Sequence, residues 1–291
     1  LLVVAVVGHA MASFWQYALA HEWPICRRTI FALPTDAQQL QRERRNARLA
    51  VLPAVLLGLG LTAGLFGATG WTASAWTAVA TTIWAEVWHY ASHRAMHLPA
   101  LHAIDREHHR SHLSTPYTAS SFSLEQKLVF DIGLLAPLAA VDTQVPSSVY
   151  GIVAWYIGFL IINAYSHANF EITSPAFNRG AGRVLATTTF HALHHARSTG
   201  NHGLGTRVLD RLFRTEWDDY EPVYDRIVGE ARPLERLGER VGSHRSPPGR
   251  RALVAGMSVF IARSPKYKTG RPRQAEHALR IYFVNFRHRT D

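Results

Sequence analysis

Seven histidines lie between His89 and His112, at 89, 93, 97, 102, 108, 109 and 112, with an aspartate, Asp105, among them. Five more follow, His167, His191, His194, His195 and His202, so two bursts hold twelve of the seventeen histidines in the chain. The spacing is not random. His89, His93 and His97 recur every four residues and share one face of a helix. His191 precedes His194 and His195 by three and four residues, and Asp105 stands in the same relation to His108 and His109. Adjacent histidines diverge by about 100° on a helix, which suits two ligands reaching two neighbouring ions. These are metal-ligand spacings. Imidazole serves Zn, Cu, Fe and Ni alike, so ligand type leaves the metal open. Ligand number is more telling: eight or nine candidates exceed what one ion holds, and two ions account for them. The HExxH zinc-protease signature is absent, because His21-Glu22-Trp23-Pro24 does not complete it.

The elements that must position these residues are long apolar blocks: Leu1–Leu19, Ala50–Phe66, Trp71–Trp88, Leu128–Val141 and Ser148–Tyr165. Most approach the roughly 20 apolar residues that cross a bilayer. Leu128–Val141 is short and carries Asp131, and by itself suits a buried or re-entrant helix. Leu1–Leu19 has the length of a signal peptide or of a first membrane helix, and lacks a basic flank. Gly67–Gly70 joins one pair of blocks and Asp142–Ser147 another, so both pairs read as membrane hairpins. Neither link holds Lys or Arg, whereas arginine collects at 27, 28, 42, 44, 45 and 48 and again at 94, 106 and 110. The positive-inside rule then puts both histidine bursts on the cytoplasmic side, where they can meet. The expected fold is all-α: multi-pass membrane helix hairpins with a cytoplasmic helical cap carrying a histidine-rich dimetal site. A two-metal, nitrogen-rich site beside a bilayer fits oxygen activation better than hydrolysis, which uses fewer histidines and a carboxylate base.

The formal charge of +10 is concentrated at one end. Residues 243–291 hold eleven Lys/Arg against Glu276 and Asp291, a balance of +9, which leaves twenty basic and nineteen acidic residues elsewhere. The main domain therefore has no basic face for nucleic acid. Residues 1–240 read as the membrane domain and residues 241–291 as a basic, disordered tail. Cys26 is the only cysteine, which excludes an internal disulfide and cysteine-based metal clusters. The preference for arginine over lysine suggests a GC-rich bacterial genome, and with it the bacterial inner membrane.

Several short stretches occur in a fixed order: His93-Arg94-Ala95-Met96-His97 with Glu86 upstream, Leu101–His109, His167-Ala168-Asn169, Phe190–His195, Asn201-His202-Gly203 and Leu209–Thr215. In this order they resemble the HRxxH box, the first HxxHH box, the isolated histidine, the second HxxHH box, the Asn-Tyr-Gly and the WDRLFGT ending of the fatty acid hydroxylase/sterol desaturase superfamily of membrane di-iron enzymes. The resemblance covers roughly Trp71 to Trp217. It implies two iron ions, replaceable by zinc during purification, held by His93, His97, Asp105, His108, His109, His167, His191, His194 and His195. It implies hydroxylation or desaturation of a lipid (a sterol, a fatty acyl chain or a related molecule) with dioxygen, in lipid biosynthesis. No catalytic side-chain acid or base is implied. Electrons must come from a separate ferredoxin, cytochrome or reductase, because the chain has no His-Pro-Gly-Gly, no GxGxxG and no cysteine cluster.

The chain departs from the family at Asp105, which replaces the first histidine of the first HxxHH box. Three readings follow: the aspartate ligates through oxygen, His102 one turn back takes over, or the site is impaired. The alternatives to a lipid oxygenase are accordingly a catalytically impaired family member and a membrane zinc-binding hydrolase. His89, His102, His112 and His202 are expected behind the ligands or at the surface. Glu86 is expected either to accept the outer ring N–H of a ligand histidine or to serve as a capping or interfacial carboxylate. Asp210 and Arg211 are expected to pair, and Trp71, Trp76, Trp84 and Trp88 to belong to the membrane helices.

Overall fold

A computed structural model of the protein describes residues 3–242, so the expected basic tail lies outside the described residues apart from Val241 and Gly242. The apolar blocks become helices whose ends are set by local chemistry. The Ser123 side chain accepts from Gln126 N at the start of one, the Thr187 side chain accepts from Phe190 N at the start of another, and Gly70, at a φ of 103°, precedes a third. The helices are α1 (Val3–Ala20), α2 (Ala37–Asn46), α3 (Leu52–Thr62), α4 (Trp71–Met96), α5 (His102–His109), α6 (Leu124–Asp142), α7 (Val149–Ser166), α8 (Pro175–Arg179), α9 (Thr188–Arg197), α10 (Val208–Leu212) and α11 (Tyr220–Gly229). Among the described residues extended chain pairs only in isolated bridges, such as Thr29 with Phe170. The all-α expectation holds.

Among the described residues two helices, α1 and α7, are long and apolar enough to cross a membrane. The other apolar blocks differ from expectation for physical reasons. α3 has 11 residues, so it rises only ~16 Å, about half of a bilayer core. α4 runs unbroken through 26 residues and takes in His89 and His93, and α6 carries Glu125, Lys127 and Asp131 within its length. α1 packs along α7.

The strongest packing runs between the expected hairpins, not within them. α4 lies against both α6 and α7, α1 against α7, and α3 against α6, while the two helices joined by each short link touch little. Two glycines permit the close approaches. A Cβ on Gly133 would sit 2.1 Å from the Trp88 ring, so α6 accepts the indole only because that position is bare. A Cβ on Gly151 would sit 2.4 Å from the Ser74 carbonyl oxygen, where α7 crosses α4. Leu57, Leu134, Leu138, Ile152 and Tyr156 are among the residues filling the bundle core. A second core, including Ile30, Phe31, Phe190, Leu193, Tyr220, Tyr224 and Ile227, forms under the cap of α9 and α11. Each fully buried large aliphatic contributes roughly 1.5–3 kcal/mol.

Gly151→Leu should destabilise the fold by ~1–3 kcal/mol through overpacking at the α4–α7 crossing. Gly158→Ala, whose Cβ would meet nothing within 4 Å, should leave stability unchanged or slightly raised. Thermal unfolding in detergent, followed by circular dichroism, separates the two.

Candidate metal centre

The histidines come from four places in the chain. α4 supplies His93, and His97 caps its C-terminus. α5 supplies Asp105, His108 and His109. His167 caps the C-terminus of α7, and α9 supplies His191, His194 and His195. α9 is fixed at its start by a carboxylate that no motif in the sequence marks. Glu171, fully buried, accepts from Thr189 N and Thr189 Oγ1 at 3.0 Å each and from the Tyr165 hydroxyl at 2.8 Å. A negative charge at a helix N-terminus is also favoured by the helix dipole. Asn201 holds the far side: its Nδ2 donates to Phe190 O at 2.9 Å and its Oδ1 accepts from Trp217 N at 2.8 Å. α5 is tied to α2 by Arg42 and Asn46, which reach Glu107 at 3.1 and 2.9 Å.

Two clusters result. His93, His97, His109 and His194 each present one ring nitrogen, all within 4.8 Å of one another, and His108, His167, His191 and His195 do the same. The consecutive pairs His108/His109 and His194/His195 are each divided between the clusters, as their helical divergence requires. The clusters adjoin, with the His109 and His195 rings 4.9 Å apart. Asp105 belongs with the first: its Oδ2 lies 3.1 Å from His97 Nε2, 3.2 Å from His109 Nε2 and 3.8 Å from His93 Nε2. All nine candidate residues from the sequence are thus brought together.

The proton positions decide what these clusters can hold. The Nδ1 atoms of His93, His108, His167, His194 and His195 face the carbonyl oxygens of His202, Ser121, Asn163, Gly200 and Ser111, at 2.7–3.3 Å. A carbonyl oxygen only accepts, so each Nδ1 carries the hydrogen and each neutral ring turns a bare Nε2 lone pair inward. His194 Nε2 is 3.1 Å from His93 Nε2 and 3.2 Å from His109 Nε2. Asp105 Oδ2 and His195 Nε2 are buried without a hydrogen-bond partner. Burial pushes His108, His109, His191 and His195 well below the ordinary imidazole range, and His167 and His194 down to about 4, so the rings are neutral at pH 7. Converging lone pairs and an unpaired carboxylate oxygen repel one another unless a cation lies among them. The residues present fit two metal ions.

The remaining expectations divide. His102 and His112 are exposed, and His102 belongs to neither cluster, its ring centroid 6.3 Å from that of His97. His202 is buried beside the first cluster, with ring centroids 5.0–5.8 Å from those of His97, His194 and His93. His89 stacks on Phe130 and lines a cavity next to the second cluster. Glu86 meets no histidine; it accepts from Gly205 N, Thr206 N and Thr206 Oγ1 at 2.8–3.1 Å and fixes the loop there. Of the two expectations for Glu86 this rules out the ligand's acceptor; backbone carbonyls take the outer nitrogens of five of the ligand rings instead. Asp210 and Arg211 do not pair. Asp210 accepts from the backbone of His202 and Gly203, which fixes the loop carrying His202, while Arg211 reaches Glu216 and Glu221. Trp71 is 92% exposed at the start of α4, whereas Trp84 and Trp88 pack against the bundle core, Trp88 in the cavity wall. Gln126, also unnoticed in the sequence, donates to Asp105 Oδ1 and so aims Oδ2 at the first cluster.

Burial raises the Asp105 carboxyl to about 7 despite the opposing hydrogen bond from Gln126. Below that pH a metal entering the first cluster must displace a proton; above it the carboxylate is ready. Zinc affinity at this cluster should therefore rise with pH up to about 7 and then level. In Asp105→Asn the rise should vanish, as measured by competition with a chromophoric chelator between about pH 6 and 8.

Residues 78–215 match the fatty acid hydroxylase family, a span that includes every histidine of both clusters. The very-long-chain aldehyde decarbonylase GL1-6 of rice, Oryza sativa subsp. indica, is 24% identical over 224 residues, 74% of this chain and 35% of that protein. The very-long-chain aldehyde decarbonylase GL1-1 of the same rice is 29% identical over 152 residues, 51% of this chain and 24% of that protein. The chain thus spans about a third or less of the length of these relatives. No solved structure matches it. The chain carries a fatty acid hydroxylase domain at residues 78–215 and is homologous to the rice aldehyde decarbonylases of the same superfamily.

Proposed function

We propose that this chain is a membrane-bound di-iron oxygenase acting on a lipid, with His93, His97, Asp105, His109 and His194 holding one ion and His108, His167, His191 and His195 the other. The observation that carries the reading is the pair of adjoining clusters in which five of the eight rings already commit their outer nitrogens to backbone carbonyls. Iron in such a site supplies the oxidation of an unactivated C–H bond by dioxygen, with electrons from a separate ferredoxin, cytochrome or reductase. Zinc would give the same ligand geometry without that redox chemistry.

The chain's own residues do the positioning. The carbonyls of Ser111, Ser121, Asn163, Gly200 and His202 fix ring orientation and tautomer, and Gln126 does the same for Asp105. Asp105 acts as a working oxygen ligand, because its free oxygen faces three of the histidines and His102 does not. The adjoining cavity is lined by Trp88, Phe130, Leu134, Trp155 and Phe159, which suits an alkyl chain and excludes water.

A bilayer is the natural solvent for the bundle. Val79, Ile83 and Val87 form an outward stripe on α4, and Val6, Leu59 and Ile162 are each more than 60% exposed on their own helices. Such a surface on several helices at once suits lipid rather than water. The multi-pass arrangement, the cytoplasmic position of the histidines, the 1–240 domain and the separate tail belong to this proposal. The names of the rice relatives point to very-long-chain lipids with an oxygen function at one end.

Elemental analysis of untagged protein should give two metals per chain. With iron, oxygen and a reductase, turnover of a long-chain lipid should follow; zinc with no iron-dependent turnover would favour the hydrolase reading, and one metal or none the impaired one. Gln126→Leu should lower metal affinity or activity by roughly 10–100-fold while the fold is kept. Unchanged metal content and turnover in Asp105→Ala would sink the role given to the aspartate.

A further inference from the structure

The cavity beside the second cluster has one feature that metal binding does not use. Into its apolar wall α6 sets Lys127 and Asp131, one turn apart, with side chains only 12% and 3% exposed. Lys127 Nζ donates to Asp131 Oδ1 at 2.5 Å and Oδ2 at 2.6 Å, and the Tyr156 hydroxyl donates to Oδ1 at 3.3 Å. Neither residue belongs to a metal cluster. Lys127 is also the only lysine before residue 266, in a chain that otherwise uses arginine for positive charge.

A buried ion pair is a poor way to stabilise a helix bundle, because desolvating two charges offsets most of their attraction and apolar side chains would pack as well. On a helix with an apolar exterior such a pair marks a place where something polar is handled. The ammonium has three N–H groups, and Asp131 takes two. The third is left to the cavity. The pair is neutral as a whole, so a carboxylate would bring a second negative charge beside Asp131 in a low-dielectric space. A hydroxyl or carbonyl oxygen accepts the third N–H without that penalty.

We propose that Lys127, held in place by Asp131, is a specificity-determining residue that hydrogen-bonds an uncharged oxygen of the lipid in the cavity. The preferred occupant is then a long-chain alcohol or carbonyl compound, in preference to a plain hydrocarbon or a fatty carboxylate. The inference rests on the reading of this cavity as a lipid site.

The test is equilibrium binding of octadecan-1-ol, octadecane and octadecanoate to the full chain in detergent, read from tryptophan fluorescence, since Trp88 and Trp155 line the wall. The alcohol should bind about tenfold more tightly than either of the others, the value of one hydrogen bond made in the cavity. Lys127→Met combined with Asp131→Leu removes the pair without stranding a charge; it should bring the alcohol down to the alkane and leave the alkane unchanged. Lys127→Arg should keep the preference. Equal binding of alcohol and alkane by the unaltered protein, tightest binding of the carboxylate, or a preference that survives the paired substitution would each overturn the inference and leave the lipid cavity standing. Absence of binding by all three probes would overturn the lipid reading together with it.

Discussion

Eight imidazoles and a carboxylate converge in a largely buried space, five of the rings with their lone pairs turned inward, and the rest of the fold answers to that constraint. A ring whose Nδ1–H is given to a carbonyl has only its Nε2 left, and here Nε2 atoms from different parts of the chain approach to 2.8 Å, at His167 and His191, and to 3.1 Å, at His93 and His194. Water cannot relieve such an arrangement without room, and protonation is opposed by burial. The backbone carbonyls that set the tautomers lie in loops, at Ser111, Ser121, Gly200 and His202, or near the end of α7, at Asn163. Loops that would otherwise be free to vary thereby become part of the centre.

Three buried carboxylates hold the frame around it. Glu171 fixes the start of α9, Asp210 the loop at His202, and Glu43 gathers Ser111, Thr115 and Thr118 with hydrogen bonds of 2.5–2.8 Å. Each accepts from several donors, which is what makes a buried carboxylate tolerable. Arg207, buried against the Tyr220 ring at 4.0 Å, joins Glu216 and Glu221 and closes the cap in the same way. The aspartate of the first cluster is the exception, with one oxygen supported and one left free.

Much of this was legible in the sequence because histidine is scarce and its helical spacing is geometric. His108/His109 and His194/His195 had to diverge, and they do so into separate clusters. What failed to show was anything that depends on which loop meets which side chain. Glu86 looked like a ligand's neighbour from its place on α4, yet it bonds a loop about 120 residues later. Asp210 and Arg211 looked like a pair because they are adjacent, but adjacent residues of a helix point apart. The hairpins were read from short links, and the structure packs helices across links instead, since close approach is granted by Gly133 and Gly151 rather than by chain proximity.

The division of adjacent histidines between clusters has a mechanical consequence. α5 and α9 each contribute to both clusters, α4 contributes only to the first, and the end of α7 only to the second. The first site therefore ties segments a hundred residues apart, and the second draws the same two short helices against a different long one. α5 and α9 act as a shared yoke. Whichever site closes first has already restrained at least half the ligands of the other, so the second closure loses less chain entropy than the first. Loading of the two sites is on this account a cooperative event built into the connectivity.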